Sequence, residues 1–67
     1  MFGETVEFDV RVVACSDRAI LCEIDGEEYW IPMSQIASGS EIDESSERDD
    51  EGVLVMSKWI AKQKGLL

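Results

Sequence analysis

Val6, Phe8, Val10 and Val12 alternate with Glu7, Asp9 and Arg11. That period of two is the signature of a strand with one buried and one wet face. Ser16-Asp17-Arg18 breaks the pattern, and Ala19 to Ile24 reads as a second strand on which Cys22 alternates with Ile20 and Ile24 as a small buried hydrophobe. Asp25-Gly26 then gives a strong hairpin signal, because a type I′ turn needs positive φ and glycine adopts it without steric cost. Glu27 to Ile31, with Tyr29 and Trp30, returns as a third strand.

Pro32 has no N–H to offer a ladder and should end that strand. Pro32 to Ile36 is expected to make one short helical turn, with Ile36 folded back on the core. Residues 37–52 lack periodicity and read as a long, mobile, solvated loop, unusual in length for a compact domain. Gly52 closes it, and Val53 to Met56 reads as a fourth strand. Ser57 can cap a closing helix over Lys58 to Lys64, with Trp59 and Ile60 facing inward. Lys62 and Lys64 suit the negative end of its dipole, and Gly65 suits the left-handed position after it. The expected class is α+β, in a single domain over 1–67. Its architecture is an antiparallel four-stranded meander covered by one C-terminal helix, with the acidic loop at 38–52 between strands 3 and 4.

Charge changes this picture most in the loop. Glu41, Asp43, Glu44, Glu47, Asp49, Asp50 and Glu51 are offset there by Arg48 alone. The whole chain holds 15 acids against 6 bases in 67 residues, a net charge of −9. Such an imbalance opposes compaction and points to solubility or to a basic partner. The 45% apolar fraction is still that of a globular protein rather than a disordered acidic chain. Chains this short lie near the lower limit for folding without staples. No apolar run approaches the roughly 18 residues of a membrane helix, and Met1-Phe2-Gly3-Glu4 does not resemble a signal peptide. Both features lead to an expected location in the cytoplasm, where Cys15 and Cys22 would be free thiols.

The residue types argue against catalysis. Histidine is absent, no serine sits in a nucleophile motif, and carboxylates in one wet loop lack the contrasting environments that acid–base chemistry uses. Glu47, Asp49, Glu51 and Gly52 match the first, third, fifth and sixth positions of an EF-hand, but its twelfth position is Lys58 instead of glutamate, so no metal or other cofactor is expected. Direct nucleic-acid binding is disfavoured by sign; Lys58, Lys62 and Lys64 are accounted for by helix solubility and dipole.

The acids themselves remain. Glu7 and Asp9 would lie on one strand face about 7 Å apart, broadly similar to the spacing of phosphates on a nucleic-acid strand. The expected partner-binding residues are therefore Asp43, Glu44, Glu47, Asp49 and Asp50 in the loop. A second bank comprises Glu7, Asp9, Glu27 and Glu28, with the loop steering a partner in and the strands fixing its register.

Ala19 to Ile36, carrying Glu23-Ile24-Asp25-Gly26, Trp30-Ile31-Pro32 and Ser34-Gln35-Ile36, resembles a segment of small phage and prophage proteins. So does the ending Trp59-Ile60-Ala61-Lys62-Gln63-Lys64-Gly65-Leu66. Small size, acidity and the lack of catalytic groups also resemble anti-CRISPR inhibitors that act as DNA mimics. The resemblance implies a phage-encoded, monomeric, stoichiometric inhibitor. It would act in the bacterial cytoplasm on a basic DNA-binding cleft, such as that of a type I Cascade-type complex. The alternative is a phage accessory module that binds a protein through exposed Trp30, Tyr29 and Trp59; core packing is the simpler expectation for both tryptophans.

Overall fold

The computed structural model describes residues 3–67. Met1 and Phe2, part of the start read above for a signal segment, lie outside them. The described residues form a four-stranded antiparallel sheet and one C-terminal helix. The strands are β1 (Thr5–Cys15), β2 (Ala19–Ile24), β3 (Glu27–Pro32) and β4 (Glu51–Ser57), and the helix is α1 (Lys58–Gln63). A 3₁₀ turn, Met33–Gln35, follows β3. No helix among the described residues is long and apolar enough to cross a membrane.

The period-2 pattern sets the two faces. Val10, Val12, Ile20, Cys22, Ile24, Ile31, Leu54 and Met56 are buried on the inner face, joined in the core by Ile42, Ile60 and Ala61. Asp25 (φ 53°) and Gly26 (φ 84°) both take the left-handed conformation of the tight hairpin. Val13 is an extra residue between the pairs Val12–Cys22 and Ala14–Leu21, a bulge that keeps Cys15 in register with Ile20.

The strand order is β3-β2-β1-β4, so the sheet is not a simple meander. β4 crosses back to pair with β1 from Thr5–Ser57 to Arg11–Glu51. The cause is a difference in length. β1 has 11 residues, and its first half extends past the six-residue strands β2 and β3. That half carries the apolar Val6, Phe8 and Val10 and needs a neighbour. β4, which also takes in Glu51 and Gly52, supplies seven paired residues there.

The loop also differs from its expected mobile, solvated form. Ile42 is 2% and Ser40 8% exposed. Ile36 bridges Met56, the Ala37 amide donates to the Val55 carbonyl at 2.8 Å, and the Glu41 amide donates to the Val53 carbonyl at 3.0 Å. Two side chains complete the edge: the Val55 amide donates to Ser40 Oγ at 2.9 Å and the Val53 amide to Glu41 Oε1 at 2.7 Å. An uncovered outer strand would present unpaired backbone groups, and this segment satisfies them without forming a strand. Gly52 permits the close approach, since a Cβ there would sit 3.2 Å from Glu41 Oε1 and 3.5 Å from Ile42 Cδ1. Farther on, Asp49 and Asp50 exchange backbone bonds of 2.8 Å with Val12, filling the space beside β1 that β4 does not reach.

α1 begins at Ser57, whose Oγ accepts the Ile60 amide at 3.2 Å and donates to Gln35 Oε1 at 2.6 Å. It ends with the Leu66 amide on the Ala61 carbonyl and the Gly65 amide on the Lys62 carbonyl, the paired bonds of a Schellman cap. The helix buries Ile60 and Ala61 but leaves Trp59 60% exposed. Trp59 thus does not face inward as the sequence suggests. Successive helical residues are about 100° apart, and a six-residue helix presents too narrow a contact to cover all three.

Candidate functional site

The outer face of the sheet is where the carboxylates come together. Pairing aligns Glu28 with Glu23, Glu23 with Arg11, and Arg11 with Glu51, forming one row across all four strands. Asp9 lies beside Val53 in a second row and Glu7 beside Val55 in a third. Alternation along β1 places Glu7, Asp9 and Arg11 on the same side. This face therefore carries five carboxylates and one guanidinium on paired strands.

Arg11 holds the centre. Its Nη2 and Nε lie 2.9 and 3.0 Å from Glu23 Oε1, and Nη1 lies 3.0 Å from Asp49 Oδ1. Its hydrogen bond and charge interaction with Glu23, joined by Asp49, raise the guanidinium pKa further above its ordinary value. Asp49 reaches this position from a left-handed backbone (φ 71°), a conformation that aspartate adopts more readily than most residues. Glu7, Asp9, Glu28 and Glu51 are exposed. Asp9, Arg11, Glu23 and Glu51 border an open groove of about 580 Å³ that runs toward the Asp25-Gly26 turn.

The nine residues expected from sequence divide into three groups. Glu7, Asp9 and Glu28 share the outer face, with Asp49 tied to its rim through Arg11. Glu27 does not join its neighbour Glu28, because consecutive strand residues face opposite sides; its carboxylate instead accepts the Tyr29 hydroxyl at 2.8 Å. That hydrogen bond, with partial burial, raises the Tyr29 pKa. The remaining four stay in the loop. Asp43 Oδ1 accepts the Ser45 amide at 2.9 Å and its hydroxyl at 2.6 Å, which lowers the Asp43 pKa. Asp50 Oδ2 accepts the Glu47 amide at 2.8 Å, so both aspartates shape the turn they occupy. Glu44 and Glu47 are exposed.

Glu23, Glu51 and Arg11 are absent from the sequence-based set although they complete the central row. The alternation of Glu23 against Cys22 and Ile24 signals its outward face. Glu51 becomes a member only through the pairing of β4 with β1, which spacing alone does not reveal.

Among the described residues, the buried polar side chains are Ser40 and Ser57, both engaged in backbone capping. No group of three or more Cys, Asp or Glu among them is placed to hold a metal ion. Trp30, opposite Leu21 on the outer face, is 45% exposed. Comparison with known protein families, curated proteins and solved structures finds no match.

Proposed function

We propose that this chain is a non-catalytic binding protein whose outer sheet face presents carboxylates to a basic, nucleic-acid-binding surface of another protein. The observation that carries this reading is the placement of Glu7, Asp9, Glu23, Glu28 and Glu51 on one face of paired strands. Carboxylates held by strands lose less conformational freedom on binding than the same groups on a free loop. The net charge of −9 supplies long-range attraction, which accelerates encounter and weakens as salt rises. In its narrowest form, taken from the resemblance to anti-CRISPR proteins, the partner is a type I CRISPR complex in the cytoplasm of a phage-infected bacterium. The protein would then occupy that complex's DNA-binding cleft.

The test is capture of partners from host lysate at low and high salt, with and without competing DNA. It is repeated with Glu7→Lys/Asp9→Lys/Glu51→Lys, which leaves β3 unaltered. Support requires a DNA-binding protein that is released by salt and by DNA and lost in the charge-reversed variant. Retention by that variant would overturn the reading.

A second reading is favoured by the exposure of Trp30 (45%) and Trp59 (60%). Exposed aromatic side chains are the usual anchors of protein interfaces. A module of this kind would hold its partner at high salt and lose it on Trp30→Ala or Trp59→Ala.

A further inference from the structure

The two edges of the sheet are finished differently. On β4, the outward amides and carbonyls of Val53 and Val55 are all satisfied, by Glu41, Ile42, Ser40 and Ala37. On β3 the corresponding groups can be located from the hairpin. A two-residue turn closes on the pair Ile24–Glu27, and in an antiparallel ladder hydrogen-bonded pairs alternate with non-bonded ones. Glu27, Tyr29 and Ile31 therefore bond toward β2, and the Met33 amide continues the series by donating to the Arg18 carbonyl at 2.7 Å. Glu28 and Trp30 direct their backbone N–H and C=O groups away from β2. Among the described residues nothing pairs with them, since β3 has β2 as its neighbour in the sheet.

We propose that the β3 edge is a docking site for an extended, basic segment of a partner protein, which adds as a fifth strand through the backbone of Glu28 and Trp30. This goes beyond the reading of the outer face and shares with it the sign of the partner's charge and the Glu28 carboxylate at the corner between face and edge. The occupant follows from charge complementarity. A second copy would bring Glu27 and Glu28 against an equally acidic strand, with −9 on each chain, and like charges directly opposed across strands are destabilising. A segment carrying Lys or Arg meets the opposite situation. Its residue facing Glu28 lies within reach of that carboxylate, and the one facing Trp30 lies against an indole that is 45% exposed, a site for an apolar contact or for a cation over the ring. Backbone bonds provide the attachment and alternate side chains the selectivity, as in other strand-addition complexes. Pro32 ends the free edge and bounds the docked segment to the length of β3.

The probe is a capped Thr-Lys-Val-Arg-Val-Lys-Thr peptide, titrated into the ¹⁵N-labelled full chain and followed by amide shifts and hydrogen exchange. At saturation the Glu28 and Trp30 amides should exchange at least tenfold more slowly. A peptide of the same sequence, N-methylated at alternate residues on the pairing edge, keeps its charge but loses the ladder and should bind at least tenfold more weakly. Glu28→Pro should weaken binding more than Glu28→Gln, because both remove the charge but only proline removes the outward N–H. The methylated peptide acts on the unaltered protein, so a folding defect in the proline variant leaves the test intact. Equal binding of both peptides, shifts centred on Glu7, Asp9 and Glu51, or no binding at millimolar peptide would each overturn strand addition. None of those results alters whether charge reversal of the outer face abolishes partner capture, so the two proposals fail separately.

Discussion

The hydroxyl of Ser40 lies 2.9 Å from the amide nitrogen of Val55 and accepts its hydrogen, replacing with one side chain a bond that a neighbouring strand would make. The same oxygen donates to the Ile42 carbonyl at 2.6 Å. Ser40→Ala leaves the Val55 N–H without a partner at a site that is 8% exposed at Ser40. The expected loss is about 1–3 kcal/mol, read as a lower urea midpoint with an unchanged m-value.

Ile42 determines whether the acidic segment is part of the core or an appendage. At 2% exposure, Ile42→Ala should cost about 2–5 kcal/mol. A freely solvated loop would tolerate it within about 0.5 kcal/mol. Hydrogen exchange at Val53 and Val55 should also accelerate, since the segment that holds their amides loses its anchor.

Asp43 makes part of the loop's stability pH-dependent. Its pKa is lowered from 3.8 by the Ser45 hydroxyl and amide. A depressed acid contributes stability above its unfolded value and loses it as pH falls through its folded value. The stability difference between the native chain and Ser45→Ala should therefore be fully present above pH 5 and shrink on acidification below about 4. Comparing the two proteins cancels the general relief of charge repulsion that protonation brings to so acidic a chain. A difference independent of pH would remove Asp43 from this role.

Cys22 and Cys15 should react at very different rates. Burial pushes the Cys22 thiol up to about 11 from 9.0, with a smaller contribution from Cys15, which is exposed. At pH 8 a disulfide reagent should label Cys15 promptly and Cys22 only as the fold opens, because the thiolate is the reactive form. For a group whose folded pKa is raised, stability is fully present below the unfolded value and lost as pH rises through the folded one. Cys22→Ala should accordingly flatten the alkaline loss of stability between about pH 9 and 11.

The strands and hairpin are legible from sequence because their causes are local: alternation on β1, Asp25-Gly26 at the turn, Pro32 at the end of β3. The partner of β4 is not, since it depends on β1 outreaching the hairpin beside it. A lone Ile42 among seven acids is the one sign that the loop is anchored, and it is easily outweighed by the surrounding charge. Trp59 and Ile60 are adjacent on a short helix, so geometry separates them although composition suggests burial for both. At the candidate site, the shared face of Glu7 and Asp9 follows from their spacing, and the separation of Glu27 from Glu28 follows from the same rule. Glu51 enters only through its pairing with Arg11 on β1. Asp49, expected from sequence as a loop residue, reaches the rim of the face only through the Arg11 guanidinium, and both contacts span some 40 residues of chain.

The crossover that carries β4 back to β1 also orders events during synthesis. When β1, β2 and β3 have left the ribosome, β4 is still held inside the exit tunnel, and the strand edge along Thr5–Arg11 stands open. Val6, Phe8 and Val10 on that edge would be a template for aggregation if uninterrupted. Glu7 and Asp9 interrupt them. Carboxylates proposed to meet a basic partner in the finished molecule thus also protect the nascent one, so neutralising them should lower soluble yield even where the folded protein's stability is unchanged.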